Sequence, residues 1–167
     1  MKRRTLLATL GGICIASLTD LPVGLRAWAS DLTPMEVTEQ YLAAWNAHDP
    51  EKAASFFDDK ISYYDASVGK PTVGKDEAKS AVIDNFMTAV PDLKWVMRGD
   101  PIINEDRVSF EWTFSGTNSG PWADGTAATN KPFSFDGASV FVIDEGEIKQ
   151  QSDYYDALGL YRQLGLM

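Results

Sequence analysis

Apolar positions along the chain follow two periods in succession, and the change between them falls near Leu93. Thr33-Pro34-Met35-Glu36 supplies a capping hydroxyl, a proline at the first helical position and a glutamate three residues past the cap, which marks a helix start. Val37, Tyr41, Ala44 and Trp45 then recur at helical spacing and predict one apolar face on a helix running to about Ala47. Pro50 opens a second short helix through Phe57, residues 61–65 read as a short strand, and Asp58-Asp59 between them as a surface turn. Gly74-Lys75 lead into a third helix whose buried stripe is Ala78, Val82, Phe86 and Val90. Beyond Leu93 the aromatic and β-branched residues predict strands over 93–98, 102–115, 131–143 and 147–155, with a hairpin turn at Asp144-Glu145-Gly146-Glu147. Residues 116–130 form a loop rich in Gly, Thr and Ala that carries Trp122 and is placed to shape a binding mouth. Residues 156–164 read as a short amphipathic helix. Helices first and strands afterwards predict an α+β domain, its helices on one face of a curved, mostly antiparallel sheet.

Residues 1–29 belong to neither pattern. Met1-Lys2-Arg3-Arg4 is basic, residues 5–18 are weakly apolar, and Ala27-Trp28-Ala29 offers a small-x-small cleavage site before Ser30. The apolar run is shorter than the roughly 18–20 residues that span a bilayer and contains Gly11, Gly12 and Cys14, so no stable membrane anchor is expected. Arg3-Arg4 followed by Thr5-Leu6-Leu7, with Arg26 near the cut, resembles a twin-arginine export signal. The expected mature protein is a single domain over residues 30–167, in the periplasm or outside the cell, with chain enough to bury a core.

Residues 30–167 set 11 basic side chains against 23 acidic ones, a balance that repels phosphate backbones and anionic headgroups. Nucleic acid is therefore not an expected partner. The single cysteine, Cys14, leaves with the signal, so the mature domain has no disulfide and no thiolate for catalysis or metal binding. The single histidine, His48, reads as a solvated helix-end residue and leaves no partner for a Ser-His-Asp triad or a histidine-rich metal site. Chemistry falls to carboxylates, tyrosines and amides, with no metal or organic cofactor expected.

The stretch Tyr41-Leu-Ala-Ala-Trp-Asn-Ala-His-Asp49, then Phe56-Phe57-Asp58-Asp59 and Tyr63-Tyr64-Asp65, resembles the opening of the NTF2-like cone fold. Ketosteroid isomerases, limonene epoxide hydrolases and SnoaL-like polyketide cyclases share that fold. Phe114-Ser-Gly-Thr-Asn-Ser-Gly120, Val142-Ile-Asp-Glu-Gly-Glu-Ile148, Asp153-Tyr-Tyr-Asp156 and Gln163-Leu-Gly165 resemble the SnoaL-like branch. The resemblance covers nearly all of residues 34–166 and implies a cone in which the sheet wraps around the N-terminal helices.

In ketosteroid isomerases a carboxylate base follows the first strand and a tyrosine on the first helix donates to the oxyanion. Asp65 and Tyr41 fall at those positions, and Ser139 falls near the place of that class's protonated Asp. In other enzymes of the fold an acid on the last strand works inside the cavity, which points to Asp153, or to Asp156 if the strand slips by one. The segment matching the family's Gly-Thr-His is Gly116-Thr117-Asn118, so the histidine of some cyclases is absent. The candidates for acid/base work are thus Asp65, Tyr41 and Asp153, and those for contacting a ligand are Trp45, Tyr63, Phe86, Trp112, Asn118, Trp122, Ser139 and Tyr155. Tyr41 also reads as a core tyrosine, and Asp65 as a turn residue. Glu111 reads as an exposed strand residue. The implied ligand is a small hydrophobic carbonyl compound such as a polyketide, steroid or terpenoid. Two readings stay open: a cofactor-free isomerase or aldol-type cyclase, and a module of the same fold that binds a ligand or forms a homodimer without doing chemistry.

Overall fold

The computed structural model describes residues 32–167; the export signal expected over residues 1–29 lies outside them. Helix α1 (Pro34–Asn46) starts as its sequence requires, with Thr33 Oγ1 accepting from the Glu36 N–H at 3.2 Å and Glu36 Oε2 accepting from the Thr33 N–H at 2.8 Å. Its apolar stripe is buried, including Val37, Tyr41, Leu42 and Trp45. At its end Asn46 donates to the Trp95 carbonyl and accepts from the Trp95 N–H, which fastens the helix to the start of an edge strand. Asp49 caps the short α2 (Pro50–Ala54), and the chain then enters β1 (Phe57–Asp65) directly. The second helix is therefore shorter, and the first strand longer, than the sequence suggests. Asp58 and Asp59 belong to that strand, not to a turn, and Asp58 pairs with Lys149 across to the neighbouring strand.

After the short β2 (Pro71–Val73), α3 (Lys75–Ala78) runs without a break through a π-helical segment (Lys79–Asp84) into α4 (Asn85–Ala89). The predicted stripe of Ala78, Val82, Phe86 and Val90 is buried. Strands β3 (Lys94–Asn104), β4 (Arg107–Thr117), β5 (Pro132–Asp144) and β6 (Glu147–Tyr155) follow, and α5 (Ala157–Leu164) closes the chain. The turn between β3 and β4 sits at Glu105-Asp106, so Ile102 lies within the first strand of that hairpin and does not begin the second as expected. The β5–β6 turn places Glu145 at φ 51° and Gly146 at φ 76°, the left-handed pair that a tight hairpin prefers.

The six strands form one curved, unclosed sheet in the order β2-β1-β6-β5-β4-β3. All pairings are antiparallel except β1 with β6, which run parallel. One face is covered by the helices, giving a mixed α+β cone. On that face successive strands line up in rows: Phe110, Ser139, Asp153 and Asp65 are register partners across β4, β5, β6 and β1, and Trp112, Gly137 and Tyr155 form the next row. Along β6 a bulge intervenes, because Ile148 and Gln150 pair with Ile143 and Val142, two steps against one. The extra residue lets Ile148 face the core while Gln151, Asp153 and Tyr155, three or more positions on, face the same side.

Candidate active site

The covered face holds a small cavity of about 20 Å³ lined by Trp45 from α1, Val82 and Phe86 from the long helical segment, and side chains from five strands. Those are Tyr63 and Asp65 of β1, Trp95 of β3, Trp112 and Phe114 of β4, Phe135 of β5, and Asp153 and Tyr155 of β6. Most of the wall is aromatic. Trp45 and Trp95 meet edge to face at 5.4 Å between ring centres, and Phe135 lies against Tyr155 at 4.7 Å. The indole of Trp112 lies over Gly137, where a Cβ would come within 2.3 Å of the ring; glycine leaves the space the indole occupies.

Two carboxylates stand side by side in this wall. Asp65 and Asp153 are register partners on adjacent parallel strands, each only 4% exposed. Asp153 Oδ1 accepts from Ser139 Oγ at 2.6 Å, and its Oδ2 accepts from Tyr63 at 2.7 Å and from Gln151 Nε2 at 2.9 Å. Ser139 in turn accepts from Trp112 Nε1 at 2.8 Å, so that its hydroxyl proton is directed at Asp153. Asp65 Oδ1 accepts from Tyr155 at 2.8 Å and from both the N–H and hydroxyl of Ser67, while Oδ2 takes no hydrogen bond from the described residues. The Ser67 contacts close a tight turn at the end of β1, so Asp65 serves the turn and the cavity together.

Burial pushes the Asp153 carboxyl up to about 7; the bond from Ser139 opposes this, the nearby Asp65 charge adds to it, and the bonds from Tyr63 and Gln151 oppose it. Burial and the Asp153 charge hold the Tyr63 phenol well above its ordinary range, and burial with the Asp65 charge does the same for Tyr155. Both phenols stay protonated donors at neutral pH. An acid poised near neutrality beside a second carboxylate with one oxygen free of protein donors is an arrangement that can pass a proton in either direction. Among the described residues no group of three or more His, Cys, Asp or Glu side chains is placed to hold a metal, and no helix is long and apolar enough to cross a membrane.

Of the residues expected from sequence, the cavity brings together Asp65, Asp153, Trp45, Tyr63, Phe86, Trp112 and Tyr155. Asp156 is exposed and caps α5 through the Gly159 N–H, so the strand presents Asp153 as the inward acid. Four of the expected residues lie outside the cavity lining. Tyr41 is wholly buried among Trp45, Phe56, Phe57, Trp95 and Phe141 and does not line the cavity, because the helix aims it below the row of carboxylates. Ser139 sits behind Asp153 as its donor and does not face the cavity. Asn118 ties the 118–131 loop together, donating to the Ala89 and Gly120 carbonyls and accepting from Thr129. Trp122 packs edge-on against Phe86 from the outside and borders a neighbouring groove with Ser67, Leu160 and Tyr161. His48 is half-buried at the end of α1 with Nε2 3.3 Å from the Leu93 carbonyl, and Glu111 is exposed as expected.

Sequence reasoning did not single out Val82, Phe114 or Phe135 as cavity wall, nor Ser67 and Gln151 as the partners of the two carboxylates. The signal for Gln151 was available: it precedes Asp153 by two positions on the same strand face.

The family model of the SnoaL-like polyketide cyclases matches residues 35–164. Among solved structures, TsrD from Streptomyces laurentii is 28% identical with a TM-score of 0.66, the match covering 80% of this chain and 95% of that one. A protein of ketosteroid isomerase-like fold from Catenulispora acidiphila, in complex with trimethylamine, is 20% identical with a TM-score of 0.66, covering 80% and 95%. A SnoaL-like protein from Jannaschia sp. CCS1 reaches a TM-score of 0.68 at 12% identity, covering 80% and 92%. The last two likenesses concern the fold. No curated protein sequence matches the chain.

Proposed function

Since this chain belongs to the SnoaL-like polyketide cyclase family, we propose that its cavity binds a small hydrophobic carbonyl compound and catalyses a cofactor-free isomerisation or aldol-type cyclisation. The observation that carries this reading is the pair Asp65 and Asp153, in register and buried in one aromatic cavity. At about 20 Å³ the closed cavity has room for about one water, so a ligand of this class enters as the aromatic wall gives way.

Asp65 Oδ2 takes the proton from the carbon next to the substrate carbonyl, and the electron pair moves onto the carbonyl oxygen as an enolate. Protonated Asp153, held by Tyr63, supplies the donor for that oxygen, in place of the Tyr41 hydroxyl expected from sequence. Isomerisation ends when a carboxyl returns the proton to a different carbon. In an aldol closure the enolate carbon attacks a second carbonyl and the new alkoxide takes its proton from Asp153. One proton leaves and one returns in either case, so the reaction needs no redox partner.

Incubation with an enolisable cyclic ketone in D₂O tests this. The wild type exchanges the α-hydrogens, and Asp65→Asn slows exchange by about 10²–10⁴-fold. Ketone binding, seen as a shift of the Asp153 carboxyl resonance, without any exchange would leave the ligand-binding module standing.

Export through a twin-arginine-type signal over residues 1–29 is part of the same proposal, supported by the basic start and the Ala27-Trp28-Ala29 site. N-terminal sequencing of protein from the cell envelope should begin at Ser30; an intact Met1 on cytoplasmic protein would sink it. Homodimerisation, which would cover exposed apolar residues such as Val96, Ile102 and Tyr154, is settled by light scattering of the mature chain.

A further inference from the structure

Five buried side-chain polar atoms have no hydrogen-bond partner among the described residues, and three of them belong to residues gathered at one phenol: Tyr41 Oη, Trp45 Nε1 and Gln151 Oε1. Their residues are 0%, 2% and 0% exposed. The Tyr41 hydroxyl lies beside Trp45, Gln151 and Tyr63, and the other end of the Gln151 amide donates to Asp153 Oδ2 at 2.9 Å. Unpaired polar atoms are costly in a core, and three that meet at one point call for a common account.

Their chemistry allows one consistent direction. An indole N–H can only donate, a phenol both accepts and donates, an amide oxygen only accepts, and a carboxylate only accepts. The Tyr41 hydroxyl has both the Trp45 indole and the Gln151 amide beside it, so Trp45 points toward the Tyr41 oxygen and leaves the Tyr41 proton for Gln151 Oε1. With Oε1 so held, the amide must present Nε2 to Asp153. With Asp153 ionised, a flipped amide would set its oxygen against Asp153 Oδ2, acceptor against acceptor.

We propose that Tyr41, directed by Trp45, is a positioning residue whose hydroxyl donates to Gln151 Oε1 and thereby keeps the amide oriented as a donor to Asp153. Tyr41 thus acts on the acid/base pair from outside the cavity, at second hand. The relay's importance for turnover rests on the proposed reaction, but the relay itself does not. The ionisable groups facing Asp153 are Tyr41 from α1, Tyr63 and Asp65 from β1 and Tyr155 from its own strand, and no Lys or Arg pairs with it among the described residues.

The test is carboxyl NMR titration of Asp153 in wild type, Tyr41→Phe, Gln151→Met and the double variant, without substrate. Each single change is expected to raise the Asp153 midpoint by about one unit or less, and the double variant to match Gln151→Met alone. An unmoved midpoint in Tyr41→Phe, or shifts that add in the double variant, would overturn the relay, since the phenol would then act directly or not at all. Tyr41→Phe is also expected to lower Tm; a raised Tm would mean that the hydroxyl was unsatisfied all along and would sink the idea. Should Gln151→Met not fold, exchange of the Gln151 side-chain amide replaces it: faster exchange in Tyr41→Phe supports the relay, and an unchanged rate overturns it. A protein silent in the D₂O assay leaves these readouts intact, so the failure of the reaction and the failure of the relay are separable.

Discussion

The β1–β6 edge of the cavity and its β3–β4 wall look at each other across the same space and are built from the same alternation of side chains, yet they differ in almost every physical respect. At the edge, on two parallel strands, Tyr63 and Gln151 donate to Asp153 and Tyr155 donates to Asp65. On the wall, Trp95, Trp112 and Phe114 present hydrocarbon, with one indole N–H spent on Ser139. The wall makes the edge reactive. Burial is the largest cause of the raised Asp153 carboxyl, and the aromatic wall supplies much of that burial. A ligand meets a gradient across this space, with its carbonyl drawn to the edge and its apolar body to the wall.

Breaking the wall has the largest expected effect. Trp95→Ala removes a 3%-exposed indole in contact with Tyr41, Trp45, Phe110, Trp112 and Phe114 and should cost about 3–5 kcal/mol in urea unfolding. If the wall drives the edge, the same variant brings the Asp153 midpoint down; a midpoint still near 7 would show that the two regions are independent.

Neutralising the edge comes next. The Asp153 carboxyl titrates at about 7 in the folded protein against 3.8 for a free side chain, so between those values the folded state holds a proton that the unfolded chain has lost. Its stabilising contribution is complete below about pH 4 and is lost as pH rises through about 7. Asp153→Asn should flatten this dependence and gain up to about 4 kcal/mol over wild type at about pH 8. Parallel pH–stability curves for the two proteins would contradict it.

The smallest effect sharpens the contact between the two regions. Gly137→Ala sets a methyl against the Trp112 ring and should cost about 1–3 kcal/mol while displacing the indole from Ser139. A crystal structure of the variant with the 2.8 Å Trp112–Ser139 bond intact would show that the ring is not held by that glycine.

Helix faces were legible because a period of 3.6 marks them wherever packing is one-sided: the stripes of α1 and of the 75–89 segment were read correctly residue by residue. Asp65 and Asp153 were legible through resemblance and strand parity. Tyr41 was misplaced because periodicity gives the face of a helix but not the depth a side chain reaches. Its stripe faces the sheet, and the phenol ends among aromatic rings beneath the cavity. Asn118 and Trp122 were misplaced for another reason. Loop residues carry no period, and their roles emerge only from distant partners such as Ala89 and Phe86. The π-helical segment at Lys79–Asp84, which brings Val82 to the cavity, left no sign in the apolar spacing.

The bulge in β6 has a genetic consequence. The bulge absorbs Lys149, which is how Asp153 and Tyr155 stay on the same side of the sheet as Ile148. A single-codon deletion at Lys149 would only straighten the strand, whereas a single codon inserted between Gln151 and Ser152 would keep every cavity side chain in the sequence and yet turn Asp153 and Tyr155 outward, with Ser152 and Tyr154 in their places. Along this strand the reactive surface is written in the length of the reading frame, so descendants of the gene can lose or regain it without one substitution.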